Sequence, residues 1–146
     1  MPNPASPDFR FESDILHAIR HESLARLQDV IENSDMTIPR DTLSMWLAAQ
    51  IGNLDMVKYL EAKGVDIHGY DDSALITAVE HNGHNVVDYL LQKNANTRTH
   101  NNAPIIKALH AENWDMVEKL VKKDKAVLEA AQQKCTDLLE RLNTYT

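Results

Sequence analysis

The chain is short of the residues on which most secreted, membrane and catalytic proteins depend. Its 146 residues include one cysteine, Cys135, so no internal disulfide can form and a reducing compartment is expected. No apolar run approaches the length, about twenty residues, that crosses a bilayer. Basic residues are outnumbered: 15 Lys and Arg against 22 Asp and Glu leave a net charge of −7. That balance argues against a nucleic-acid partner, which needs a cationic face, and against an anionic membrane surface. The start, Met1-Pro2-Asn3-Pro4-Ala5-Ser6-Pro7-Asp8, has neither the basic opening nor the greasy stretch of a secretory signal. The expected location is therefore the cytoplasm, of the cell that makes the protein or of a host cell. There is no glycine-rich phosphate loop, no HExxH, no cysteine pair and no serine or cysteine in a nucleophile motif. Carboxylate pairs such as Asp71-Asp72 have no pocket implied around them. Neither a catalytic centre nor a cofactor is expected.

What the chain does have is a period. Met56-Val57-Lys58-Tyr59-Leu60, Val86-Val87-Asp88-Tyr89-Leu90 and Met116-Val117-Glu118-Lys119-Leu120 are similar blocks, each starting thirty residues after the last. The same offset links Met45, Leu75 and Ile105, then Trp46, Ile76 and Ile106, then Ala48, Ala78 and Ala108. A fixed period of this length marks a stack of small units. A stack offers a long surface and no enclosed pocket, which favours binding over catalysis.

Each unit reads as two short helices. In the second unit the first helix runs roughly over 42–51, with Met45, Trp46, Ala48 and Ala49 apolar at helical spacing. Gly52-Asn53 reverses the chain, because both residues tolerate a left-handed backbone. A second helix follows over 54–62, and Gly64 sits where a glycine cap belongs. In the third unit Asp72 or Ser73 can cap the first helix, Asn82-Gly83 reverses, and Asn94 takes the place of Gly64. Pro104 falls in the first turn of the next helix, where a missing N–H is tolerated. Projecting backwards, Ile15, Leu16, Ala18 and Ile19 lie on one helix, and Leu24, Leu27, Val30 and Ile31 on the next. The alanines at 18, 48, 78 and 108 suit points of close helix approach. The expected organisation is a flexible tail over 1–11 and units over about 12–40, 41–70, 71–100 and 101–125. A capping helix over 126–143 follows, with Val127, Leu128, Ala131, Cys135, Leu138, Leu139 and Leu142 on its inner face. Phe9 and Phe11 are candidates to fold back onto the first unit.

The pattern resembles the ankyrin repeat. The family's G-H-x-E-V-V-K-x-L-L run is matched by Gly52-Asn53-Leu54-Asp55-Met56-Val57-Lys58-Tyr59-Leu60, and more loosely by 82–91. Its G-A-D-V-N loop is echoed by Gly64-Val65-Asp66-Ile67-His68 and by Asn94-Ala95-Asn96-Thr97. The resemblance spans about 13–125 and implies an all-α solenoid of about four helix-turn-helix units with short fingers and a C-terminal capping helix. Two departures matter. The T-P-L-H opening is missing except at Pro104, so the hydrogen bonds it supplies must come from elsewhere or be absent. The unit is thirty residues and not thirty-three, a style similar to the arrays of large DNA viruses and host-associated bacteria.

The resemblance also implies where a partner would dock: the finger tips and the exposed edge of the first helices, which form a concave face. Carried over by position, the candidates on the helices are His17, Arg20, His21, Leu47, Gln50, Ile51, Thr77, Glu80, His81, Lys107 and His110. On the fingers they are Arg40, His68, Tyr70, Asp72, Arg98, His100 and Asn102, with Tyr70 as anchor, since exposed tyrosines are frequent in interfaces. Against this, such residues are also the ordinary solvated positions of any repeat. His17 with His21, and His81 with His84, have spacings that bring two imidazoles together, but zinc needs three or four ligands, and no metal is expected. A pH-sensitive interface is a further reading of the same histidines. Trp46, Met45, Met56 and Met116 read as core, Trp114 as half exposed at a reversal, Lys122-Lys123-Asp124-Lys125 as a solvated helix end, and Cys135 as an inert thiol on an apolar face. The expected function is a non-catalytic module, monomeric on its own, that binds another protein through the concave face. The alternatives are a host-directed or anti-defence inhibitor that blocks an enzyme and, from another class, an enzyme or small-ligand sensor with a site between repeats.

Overall fold

The structure, a computed structural model, describes residues 7–38 and 43–143. Among the described residues all regular structure is α-helical: α1 (Pro7–Arg20), α2 (Leu24–Glu32), α3 (Leu43–Ile51), α4 (Leu54–Ala62), α5 (Gly69–Glu80), α6 (His84–Gln92), α7 (Thr99–His110), α8 (Trp114–Lys123) and α9 (Ala126–Asn143). The helices pair as hairpins, α1 with α2 through α7 with α8. The first helices α1, α3, α5 and α7 pack side by side in one row. The second helices α4, α6 and α8 touch in a parallel row, and α9 closes the stack against α7 and α8. The result is an all-α solenoid.

The period is visible in the backbone. Each hairpin turns on a left-handed residue, at Glu22 (φ 53), Gly52 (φ 78), Asn82 (φ 59) and Glu112 (φ 51). The next residue caps the second helix: Ser23 accepts from Arg26 N–H at 3.2 Å, Asn53 from Met56 N–H at 3.2 Å and Asn113 from Met116 N–H at 3.1 Å. Gly83 has no such side chain, and a Cβ there would lie 3.6 Å from the Gly52 Cα and 3.4 Å from the Ala78 carbonyl oxygen. Two neighbouring corners are thus nearly in contact. The second helices end on Gly64 (φ 91) and Asn94 (φ 65). Inside, Ala18, Ala48, Ala78 and Ala108 are buried, as are Met45, Met56 and Met116.

The fingers replace the missing T-P-L-H hydrogen bonds with others. Tyr70, Asp71 and Asp72 all have left-handed φ, and so do His100, Asn101 and Asn102 thirty residues on. Ahead of these turns Asp66 accepts from His68 N–H at 2.9 Å and Asn96 from Arg98 N–H at 3.0 Å. The Asp72 carboxylate accepts from Asn96 N–H of the next unit at 3.0 Å and holds His68 Nδ1 at 2.6 Å. The Thr99 hydroxyl reaches the Asp71 main-chain carbonyl and, at 2.9 Å, its carboxylate. Asp124 receives Arg98 through Nε at 2.7 Å and Nη2 at 3.0 Å, and Thr97 Oγ1 at 3.1 Å. Neither Asp72 nor Ser73 acts as the expected cap of α5. Asp72 is spent on the finger, and the Ser73 hydroxyl faces the Gly69 carbonyl at 3.5 Å.

Three further expectations change. Residues 7–11 are helical, and Phe11 is buried in the core, so the expected tail overlaps α1. Trp46 is 36% exposed and is not a core residue. On α9, Val127 and Ala131 are buried but Leu128 and Cys135 are exposed. The reason is positional: α9 has neighbours on one side only, and a single stripe suffices to cover the end of the stack. The side chains of Phe9, Leu138, Leu139 and Leu142, and residues Arg40 and Asp41, lie outside the described residues.

Candidate functional site

The exposed face of the first-helix row follows from how each helix is flanked. α3 lies between α1 and α5, and α5 between α3 and α7, so only a narrow stripe of each stays open. On α3 that stripe carries Leu43, Trp46 and Gln50, on α5 Ser73, Ile76 and Glu80, and on α7 Ala103, Ile106 and His110, at the i, i+3, i+7 spacing of one helix face. Among the described residues no further first helix packs on the other side of α1, and its open stripe is wider. Glu12, Ser13, Leu16, His17 and Arg20 line a shallow hollow of about 360 Å³ there.

Three candidates are withdrawn from this surface. Leu47 is 7% exposed, Thr77 5% and Asp72 7%. Leu47 and Thr77 share the register of His17 but sit inside the row, where the adjoining first helix covers them. The Thr77 hydroxyl returns to the Ser73 carbonyl at 3.0 Å, and Asp72 ties two fingers together. Arg40 lies outside the described residues.

The remaining candidates are distributed along the face. His17, Arg20, His21, Glu80, His81 and His110 are exposed, and Gln50, Ile51 and Lys107 are partly so. The His17 and His21 rings lie with centroids 4.3 Å apart, tilted at 45° to one another. Gln50 Nε2 meets His81 Nε2 at 3.4 Å, linking α3 to α5. Lys107 Nζ donates to Glu80 Oε1 at 2.7 Å, linking α5 to α7. That hydrogen bond, outweighing a small desolvation effect, holds the Glu80 carboxyl below its usual range. Among the finger residues Tyr70, His68, Arg98 and His100 are exposed and Asn102 is partly buried. Arg98 is committed to Asp124 and His68 to Asp72, so these two serve the fold at the same time. Among the described residues no group of three or more His, Cys, Asp or Glu side chains is placed to hold a metal ion.

Sequence reasoning missed the apolar centre of the face. Leu16, Trp46, Ile76 and Ile106 form one row at thirty-residue spacing, with Leu43 beside it at 51% exposure. The column is visible in the sequence, where Trp46 reads as core because its register is apolar in every unit. A signal against that was available: columns 15/45/75/105 and 18/48/78/108 already fill the inner face, and a further adjoining apolar column is more than one helix face can bury.

A family model described as ankyrin repeats (3 copies) matches the chain over residues 15–101 and 44–132. No curated protein matches it.

Proposed function

The chain belongs to the ankyrin-repeat family, whose members are generally non-catalytic protein–protein interaction modules, and we propose that it docks one partner protein on the face formed by the first helices and fingers. The observation that carries this reading is the row Leu16, Trp46, Ile76 and Ile106, open along the stripe, extended by exposed Leu43 on one side and bordered by Arg20, Gln50, Glu80 and His110 on the other. An apolar centre with a polar rim is the anatomy of a binding surface, and a buried aromatic is the commonest anchor. The scaffold beneath is rigid, so little ordering entropy is lost on binding. The partner is sought among proteins because that is what ankyrin repeats generally bind.

The test is paired. The wild-type chain and a Trp46→Ser/Ile76→Ser variant are used as bait under equal conditions, and the captured partner is purified and titrated back. The variant should keep its melting temperature and lose at least tenfold in affinity. Equal affinity would move the docking face elsewhere. An inhibitor would dock by the same face, and the activity of the purified partner with and without the chain separates the two roles.

A further inference from the structure

The third corner differs from the other three in its chemistry. The corner pairs are Glu22-Ser23, Gly52-Asn53, Asn82-Gly83 and Glu112-Asn113. Only the third sets an asparagine directly before a glycine, and no other Asn-Gly pair occurs in the chain. In such a pair the glycine nitrogen can attack the asparagine side-chain amide carbon, because the glycine has no Cβ to shield it. Two structural demands put the pair there. Position 82 is left-handed (φ 59), a conformation that asparagine adopts more readily than most residues. Position 83 lies against the second corner, where a Cβ would come within 3.6 Å of the Gly52 Cα.

The folded corner engages both reacting groups. The Gly83 N–H donates to the Ala78 carbonyl at 2.8 Å, so the attacking nitrogen keeps its proton and its place. The Asn82 side-chain oxygen accepts from Asn113 Nδ2 at 2.7 Å, and Asn113 Oδ1 in turn accepts from Met116 N–H at 3.1 Å. The main chain of Asn82 is tied on both sides. Its N–H donates to the Val79 carbonyl at 3.2 Å, and its carbonyl accepts from His84 N–H at 2.9 Å. Asn82 is exposed while Gly83 is partly buried, so water reaches the amide more readily than the nucleophile. The amide can swing over the Gly83 nitrogen once these bonds open.

We propose that Asn82 is a site of spontaneous modification, held off by the folded corner and released when that corner opens. The Gly83 nitrogen gives its proton to water and bonds to the Asn82 Cγ. The bond from Cγ to the side-chain nitrogen breaks, and that nitrogen takes up a proton and leaves as ammonia. The product is a cyclic succinimide, which a second water opens at either carbonyl. One opening gives aspartate. The other gives isoaspartate, whose main chain runs through the side-chain carbon and is one methylene longer. Neither an oxidant nor an enzyme is required. Aspartate keeps an oxygen for Asn113, whereas isoaspartate cannot keep Gly83 in register with the Ala78 carbonyl. Both add a negative charge to a column of corners that already carries Glu22 and Glu112. Local opening precedes global unfolding in most proteins, so the mark accumulates with the time that the third corner spends open.

The test keeps the full chain at pH 7.4 and 37 °C, folded in buffer and unfolded in urea, and follows its proteolytic peptides by mass spectrometry. The mass gain of deamidation is read at every asparagine, with fragmentation that separates isoaspartate from aspartate. In urea Asn82 should convert at least tenfold faster than any other asparagine, and at least tenfold faster than it does in the folded chain. Gly83→Ala should slow the conversion in urea at least tenfold, a reading that does not require the variant to fold. Asn113→Ser keeps a cap for α8 but removes the donor to Asn82. It should convert at least twofold faster than wild type when folded and at the wild-type rate in urea. Equal rates in folded and unfolded chain would overturn the gating by the corner. Another asparagine converting as fast in urea, or an undiminished rate in Gly83→Ala, would overturn the assignment to this pair. A folded Asn113→Ser chain that converts no faster than wild type would overturn the part given to the tie between the third and fourth corners.

Discussion

The two sides of the stack use the same residue types to opposite ends. On the side of the second helices, polar groups are consumed between neighbouring units. Tyr59 donates to Glu32 at 3.2 Å while Lys63 approaches the same carboxylate at 3.7 Å. Thirty residues on, Tyr89 donates to Glu61, and Lys93 pairs with that carboxylate at 2.9 Å. Lys119 then bonds Asp88, and Lys123 donates to Asn94 at 3.1 Å. The ammonium groups of Lys63 and Lys93 also lie over the Tyr59 and Tyr89 rings, each 5.3 Å from the centroid. Burial and the Glu32 charge push the Tyr59 hydroxyl up to about 12. Desolvation would raise Glu61, but hydrogen bonds from Tyr89 and Lys93 outweigh it and hold the carboxyl below its usual range. On the first-helix side the inter-unit ties are sparse, and an apolar row stands open. Each exposed pair at the back contributes little by itself. Repeated at every interface, they act as nearest-neighbour terms that hold the units in register. The lesson is a division of labour: the back is closed on itself, and the front has surface left to offer.

The largest effect expected is common to both sides. Leu90 is almost fully buried between α6 and the first-helix row. Leu90→Ala should cost about 2–5 kcal/mol of unfolding free energy. Urea titration measures it. A cost under about 1 kcal/mol would mean that the two rows do not share one core.

The next pair breaks the comparison directly. Tyr89→Phe removes one hydrogen bond at the back and should lower stability by about 1 kcal/mol while leaving partner affinity unchanged. Trp46→Ser at the front should do the reverse, with a tenfold or greater loss of affinity, about 1.4 kcal/mol, and a melting temperature within about two degrees of wild type. Melting and titration of both variants fill a two-by-two table of outcomes. If Tyr89→Phe weakens binding as much as Trp46→Ser does, the sides are not separable and the docking face is misassigned.

That division was only partly legible in the sequence. The thirty-residue period gave the hairpins, the alanine column and the core methionines, because periodic burial writes itself into periodic residue types. The corner signals at Gly52 and Asn82 were equally plain. Glu22 and Glu112 occupy the same left-handed position with no residue-type signal, because the rest of the corner imposes the conformation. Trp46 was misread because an apolar column is read as core until the width of the buried stripe is known. That width depends on which helices flank α3. Leu47, Thr77 and Asp72 were misplaced for the same reason: their position along the repeat was right, and their rotation toward a neighbour is a tertiary fact. The Asp72–Asn96 and Arg98–Asp124 ties join different units, and no local pattern announces them.

A smaller effect concerns acid. The Arg98 hydrogen bonds, helped by Ala126 N–H and Thr97 against some desolvation, pull Asp124 down from 3.8 to about 2. A carboxyl whose folded value is depressed contributes stability above its unfolded value and loses it as the pH falls through the folded one. The contribution should therefore be full above about pH 4 and fade toward pH 2. Because Arg98 is more than half exposed, solvent screening keeps the contribution small. In Arg98→Ala the Asp124 carboxyl should titrate close to its ordinary value by NMR, and stability should lose that part of its dependence on pH between 2 and 4. An unmoved Asp124 titration would assign the shift to the backbone and not to the clamp.

The smallest effect lies at the corners, where front and back meet. Glu112 holds φ 51 at the position that Gly52 fills with φ 78. A non-glycine residue pays a conformational cost there, partly offset because glycine also loosens the unfolded chain. Glu112→Gly should therefore stabilise by about 0.5 kcal/mol, and Gly52→Ala should destabilise. A Cβ at Gly52 would meet only the Gly83 Cα, at an ordinary 3.8 Å, so the second change reports backbone conformation and not crowding. Glu112→Gln removes the charge but keeps the left-handed demand, and should leave the melting temperature unmoved. If the glutamine variant gains as much as the glycine variant, the acidic corner was costly for its charge. Corner 112 would then be governed by the local electrostatics and not by the geometry of the turn.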